Sequence, residues 1–248
     1  MLLIKKNKED CMKLNEKWQE YAEELVEVLE LKGQPIAITY TDEEIESTVN
    51  KGSDVCSVLL KARNGEIICL SKAKCTCPGG KWHLGFAEKR IGLEKILVEG
   101  EKLWATVAIA RQSIGNTHKI APPPLGLTKY IVFSPMNKAK LRPDLVTILC
   151  NPGQASRLVF LADYHGDPVK PQVLGSLCWS AITYPLISGN LNVTMGDPTA
   201  RRHHKYDSNE LIVSIPYRMI PNIMEALQYS TAGKGKMAPW FARISEES

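Results

Sequence analysis

"YIVFSPMNKAKLRPDLVTILCNPGQASRLVFLAD", residues 130 to 163, holds two strand-like runs followed by a helix. "YIVFS" and "LVTILC" are short and rich in β-branched or aromatic residues, which suits strands. Pro152 and Gly153 then open a helix near 153–164. The same alternation continues on both sides. Upstream, "LNEKWQEYAEELVEVLEL" (14–31) carries Leu14, Trp18, Tyr21, Leu25, Val28 and Leu31 at three-to-four spacing, one apolar stripe of a helix that Gly33 and Pro35 stop. "IAITYT" reads as a strand, Ser53 and Asp54 cap a helix through about Arg63, and "EIICLS" reads as a second strand. "IGLEKILVEGEKLWATVAIARQS" predicts two short helices hinged near Gly100, and "GNTHKIAPPPLGLTKY" a loop, because consecutive prolines exclude helix and central strand. Downstream come a helix over 175–184 stopped by Pro185, strands at "LNVTMG" and "LIVSIP", and a helix over 221–229, with Trp240 and Phe241 packing the last segment on the core.

These elements predict one α+β domain over 1–248, a mixed sheet with flanking helices, frayed at 1–12 and 245–248. No internal repeat is legible in the residues. The 248 residues are 44% hydrophobic and 23% charged, ordinary for a globular chain. A net charge of +4 permits attraction to anions but lacks the dense basic stripe of a nucleic-acid binder. No apolar run approaches the roughly 18 residues of a membrane span. "MLLIKKNKEDC" turns charged too soon for an export signal, so a cytoplasmic protein is expected.

Compartment decides how cysteine is read. Cys11, Cys56, Cys69, Cys75, Cys77, Cys150 and Cys178 are odd in number, and disulfides are rare in reducing cytoplasm. Free thiols, metal thiolates or a redox pair remain. Cys77 is the strongest candidate ligand by context: Pro78 stiffens the chain, and Gly79 and Gly80 let backbone amides approach sulfur. Cys75 and Cys77 also lie among Lys72, Lys74 and Lys81, cations that favour thiolate. Cys56 sits on the first turn of its helix, where the dipole favours a negative sulfur. The Cys-x5-Cys-x-Cys spacing of Cys69, Cys75 and Cys77 matches neither a ferredoxin run nor a zinc knuckle. Cys69, Cys150 and Cys178, within apolar runs, read as core, and Cys11 as an idle exposed thiol.

The blocks "DVCSVLLKA", "CTCPGGKWHLGF", "GSLCWSAITYPLISGNLNVTMGDPTAR" and "ELIVSIPY" together resemble an uncharacterised prokaryotic family, domain of unknown function 169, found in anaerobic bacteria and archaea. The resemblance spans about Leu25 to about Leu227. It implies that Cys56, Cys77 and Cys178 form a recurring triad, which turns Cys178 from core into a third ligand; Cys75 lies outside the general pattern, and which of Cys75 and Cys77 ligates stays open. The resemblance implies no reaction.

Three thiolates from three segments suit a [4Fe–4S] cluster with one iron open to a small molecule. Zinc, with His83 as a fourth ligand, is the competing metal; a satisfied His83 is the blander reading. "MGDPTARRHHKYD" (195–207) concentrates positive charge, and Arg201 or Arg202 is the expected fork for an anionic substrate, Arg201 favoured; the alternative is a solvated basic loop. The expectation is thus an iron–sulfur protein acting on a small anionic molecule, as a lyase or oxidoreductase. Its alternatives are a redox-sensing module or a structural zinc protein. Homo-oligomerisation is left open, and no nucleic-acid or membrane partner is expected.

Overall fold

Alternation along each strand sorts side chains to two faces, and both faces of this sheet are covered. The computed structural model describes residues 8–49, 51–88, 92–166, 169, 171–173 and 175–237, with side chains from Lys17 onward. The order is α1 (Lys8–Leu29), β1 (Ile36–Thr41), α2 (Val55–Arg63), β2 (Ile68–Ser71), α3 (Pro78–His83), α4 (Leu93–Lys95), α5 (Val107–Ile120), β3 (Tyr130–Pro135), β4 (Leu145–Cys150), α6 (Pro152–Asp163), α7 (Tyr184–Ser188), β5 (Asn192–Thr194), α8 (Pro198–His203), β6 (Leu211–Pro216) and α9 (Ile220–Tyr229). Helical backbone begins at Lys8, within the segment 1–12 where fraying was expected. Residues 1–7, the tail 245–248, Trp240, Phe241 and the Cys11 side chain lie outside the described residues.

The strands form one sheet in the order β2-β3-β1-β4-β6-β5. Ile36 and Ile38 of β1 face the cluster that includes Val55, Val58 and Leu59 of α2 together with Cys75 and Cys178. Ala37 faces the opposite way, into the cluster holding Leu25 of α1, Leu158 of α6 and Ile223 of α9. The α+β class is as expected. The sheet is antiparallel in every ladder rather than mixed.

The reason for that uniformity is an internal twofold. Ala37 of β1 pairs with Val146 of β4, and the neighbouring pairs Ile36↔Thr147 and Ile38↔Leu145 exchange when the two strands are interchanged. The same operation carries Ile36↔Pro135 onto Leu145↔Pro216, and Ile68↔Phe133 onto Asn192↔Ser214. Both β3 and β6 end in proline and run straight into a 3₁₀ turn, Met136–Lys138 and Tyr217–Met219. Even the closing bonds correspond: Met136 N–H donates to Pro35 O (2.7 Å), and Tyr217 N–H to Asp144 O (2.9 Å). Two strands meeting across a twofold must run antiparallel, and within each half the other two strands pair antiparallel as well. The repeat unseen in the residues is therefore present in the backbone register.

Two further expectations shift. Thr106 caps α5, its side chain accepting from Ile109 N–H, and the helix continues through "GNTHK" to Ile120, where a loop was expected. A Cβ at Gly115 would meet nothing within 4 Å, so this glycine sits in the helix without a packing role, and Pro122 lies just beyond the helix end. Pro185 does not stop its helix. The helical chain starts at Leu177, widens to a π-helix at Trp179–Thr183, and continues as α7 with Pro185 in its first turn, ending at left-handed Gly189. Pro185 offers no amide to Ser180 O, five residues back in the π turn, and Asn192 Nδ2 donates to that carbonyl instead at 2.6 Å.

Candidate metal centre

Cys56, Cys75 and Cys178 meet on the α2 face of the sheet, while Cys150 packs on the opposite face. An isolated bridge between Ser53 and Cys75, with Ser53 N–H donating to Lys74 O (2.9 Å) and Thr76 N–H to Ser53 O (3.1 Å), clamps the start of α2 beside the Cys75–Cys77 segment. Asp54 caps α2 by accepting from Ser57 N–H at 2.9 Å, so Cys56 is the second residue of the helix. Cys77 is itself the cap of α3: its sulfur accepts from Gly80 N–H at 3.3 Å, and Pro78 follows as the first helical residue. Cys178 is the second residue of the helical chain that begins at Leu177. Both Cys56 and Cys178 thus sit where unsatisfied amides and the helix dipole favour negative charge.

Close approach depends on glycine. A Cβ on Gly80 would lie 2.8 Å from Val55 Cγ2 and 3.3 Å from Cys75 Sγ. Without it, α3 packs directly on α2.

The electrostatics show which sulfurs share a neighbourhood. A hydrogen bond to Cys56, burial, and the charges of Cys56, Cys77 and Asp197 push the Cys178 thiol well above its ordinary range. Burial raises Cys77, with Cys56 adding to it and the Gly80 and Gly79 amides opposing it. Burial pushes Cys75 up to about 12, with Cys77 as its next cause; its sulfur points at Cys77 O (3.8 Å). Cys178 thus has Cys56 and Cys77 among its electrostatic neighbours, Cys77 has Cys56, and Cys75 has Cys77. Cys69 and Cys150 are buried, as expected, and burial raises both thiols. The six described cysteines are all free thiols.

Residues that sequence reading passed over surround the triad. Asp54, Cys56 and His204 bring one ligand atom each within 4.8 Å of one another, with His204 Nε2 3.1 Å from Asp54 Oδ1. Tyr206 donates to Cys56 O at 2.7 Å, and burial followed by Cys56 and Cys178 raises its hydroxyl. Asp197 caps α8, Oδ1 accepting from Ala200 N–H (2.9 Å) and Oδ2 from Leu177 N–H (2.7 Å). One signal for Asp197 was in the residues: it precedes Pro198 as Cys77 precedes Pro78.

The basic loop departs from expectation. Arg201 donates to three backbone carbonyls, Met195 O (2.7 Å), Asp207 O (2.8 Å) and Glu210 O, so its fork is engaged in holding the loop together. Arg202 pairs with Glu101 at 2.9 Å, and His203 meets the same carboxylate at 2.7 Å. His83 is buried, with Ser176 Oγ at 2.9 Å on Nε2 and His118 Nε2 at 3.2 Å on Nδ1. Both its ring nitrogens are engaged, which agrees with a satisfied buried histidine.

The family model of domain of unknown function 169, described as uncharacterised ArCR, matches residues 24–226. The chain belongs to that family. Its model spans both halves of the sheet and every residue of the centre. No curated protein and no solved structure matches the chain. Among the described residues, no helix is long and apolar enough to cross a membrane.

Proposed function

We propose that this member of the family is a cytoplasmic iron–sulfur protein in which Cys56, Cys77 and Cys178 hold a [4Fe–4S] cluster. The observation that carries the reading is that Cys56 packs against the same buried cluster as Cys178, with Cys56 and Cys77 both near enough for their charges to act on Cys178. Three neighbouring thiols cannot all ionise beside one another unless a cation compensates them, and a bound metal reverses that logic outright. The backbone is already arranged for anionic sulfur: Gly80 N–H points at Cys77 Sγ, and two of the cysteines lie on opening helical turns. When bound, such a cluster supplies electron transfer or Lewis-acid polarisation at an iron without a cysteine ligand. There a small anionic molecule would bind, which suits a lyase or oxidoreductase. Arg201 and Arg202 take no part in this reading, since their guanidinium groups are engaged elsewhere.

Anaerobic reconstitution with ferrous iron and sulfide tests it. About four irons and four sulfides per chain, with broad absorption near roughly 400 nm, are expected. Cys56→Ala, Cys77→Ala and Cys178→Ala should each lose most of that uptake. Full uptake by all three variants would refute the assignment.

A second reading rests on the Asp54–Cys56–His204 group, whose oxygen, sulfur and nitrogen donors suit a single zinc ion with an open position. It predicts about one zinc per chain, lost in His204→Ala but retained in Cys77→Ala.

A further inference from the structure

The internal twofold extends beyond the strands into the cysteine helices. Each half carries a helix start with cysteine as its second residue: Cys56 after the cap Asp54, and Cys178 after Ser176. Val58 N–H donates to Asp54 O at 3.1 Å, and Ser180 N–H to Ser176 O at 2.9 Å. Each half then passes through a strand, β2 or β5, into a six-residue helix, α3 or α8, opened by proline. The caps of those helices are Cys77 and Asp197, and their bonds correspond one for one. Gly80 N–H donates to Cys77 Sγ (3.3 Å), as Ala200 N–H does to Asp197 Oδ1 (2.9 Å). Lys81 N–H donates to Cys77 O (2.9 Å), as Arg201 N–H does to Asp197 O (3.2 Å). Leu84 N–H reaches Gly80 O and His204 N–H reaches Ala200 O, both at 3.0 Å.

The halves also exchange contacts around the centre. Asp54, from the first half, meets His204 of the second at 3.1 Å, while Ser176 of the second meets His83 of the first at 2.9 Å. Each half thus offers one cysteine on an opening helical turn and one donor at a proline-led cap. Three of those four positions are the cysteines already assigned.

We infer that Asp197 is the fourth ligand of the centre, the carboxylate that stands across the internal twofold from Cys77. This rests on the cluster reading above and names what occupies the corner without cysteine. Asp197 Oδ2 accepts from Leu177 N–H at 2.7 Å, which holds the carboxylate against the residue preceding Cys178. Its charge acts on the Cys178 thiol. Each carboxylate oxygen has one protein partner named above, and a carboxylate has about four acceptor sites, so lone pairs are left for a metal. The chemistry of the substitution is specific. Carboxylate oxygen is a harder donor than thiolate and holds iron of a sulfide cluster less firmly. Asp197 would therefore be the ligand that yields when a small anion enters, with the three thiolates retaining the cluster.

Asp197→Asn and Asp197→Cys, reconstituted anaerobically beside the unaltered protein with iron and sulfide alone, test this. Asparagine keeps the Ala200 cap but sets an NH2 against Leu177 N–H, so the metal-free Asp197→Asn protein should melt somewhat lower, and bleaching is compared at a temperature where both proteins stay folded. As a ligand it is poorer, and bleaching of the cluster in air should run roughly tenfold faster. Asp197→Cys supplies an all-thiolate set and should bleach more slowly than the unaltered protein, with a changed electron paramagnetic resonance spectrum after reduction. Loaded variants that both bleach at the unaltered rate with an unchanged spectrum would overturn the inference while leaving the cluster reading intact. An unaltered protein that takes up no iron and sulfide would sink both.

Discussion

Tyr206 Oη lies 2.7 Å from the carbonyl oxygen of Cys56, so the segment following α8 in the second half is tied to the cysteine helix of the first. The hydroxyl is within a partly buried site, and burial is the largest cause of its raised pKa. Tyr206→Phe should cost about 1 kcal/mol, the net worth of a hydrogen bond whose acceptor is left partly desolvated. Chemical denaturation of the metal-free protein measures it; an unchanged midpoint would show that the bond contributes nothing.

Gly80 is the contact point between α3 and α2. Gly80→Ala places a Cβ 2.8 Å from Val55 Cγ2, and overpacking of this kind costs about 1–3 kcal/mol. Val55→Ala made in the same protein should recover part of that loss, because it removes the methyl that the new Cβ meets. A double variant showing only the sum of the two single losses would contradict this contact.

Arg201 and Arg202 separate the structural role from the surface one. Arg201→Lys loses a fork that spans three carbonyls and should destabilise the fold by about 2 kcal/mol. Arg202→Lys perturbs an exposed pair with Glu101 and should cost less than about 1 kcal/mol. Thermal melts of the two variants compare them directly, and equal losses would undo the distinction.

The thiols give a pH dependence with a definite sign. Burial raises Cys75 from 9.0 to about 12, so the folded state favours the protonated thiol. Its contribution to stability is complete below the unfolded value and is lost as pH rises towards the folded one. The metal-free protein should therefore lose stability between pH 9.0 and about 12. Cys75→Ala, measured over the same range, should show a shallower loss. Iodoacetamide labelling followed by mass spectrometry should also find Cys75 slower to react near pH 8 than a free cysteine, because little of it is thiolate.

Much of the local structure was legible in the residues. The apolar stripe of Trp18, Tyr21 and Leu25, the β-branched runs of β1, β3, β4 and β6, and the Asp54 cap are all decided within one or two turns of chain. The cap geometry of Cys77 was equally local, because Pro78 and two glycines are its immediate neighbours, whereas the burial that raises its thiol and opposes the expected thiolate comes from distant chain. Where prediction went astray, a distant partner or a backbone detail prevailed. Pro185 is tolerated because Asn192 donates to Ser180 O in its place, and Arg201 is taken up by the carbonyls of Met195, Asp207 and Glu210, which no charge count reveals.

Only the tertiary structure decided that the chain is two related halves. The equivalence lies in which residues pair across strands, Ile36 with Pro135 as Leu145 with Pro216, and the side chains shared at equivalent positions, such as Ile131 and Ile212 or Val132 and Val213, are common strand residues that do not mark a repeat by themselves. Register is set by contacts far apart in the chain, so windows of local sequence do not record it. The residues by themselves marked Cys56 and Cys77 as thiolate-prone and read Cys178 as core. Folding the second half onto the first is what brings Cys178 to Cys56, and what sets Asp197 where the first half has Cys77.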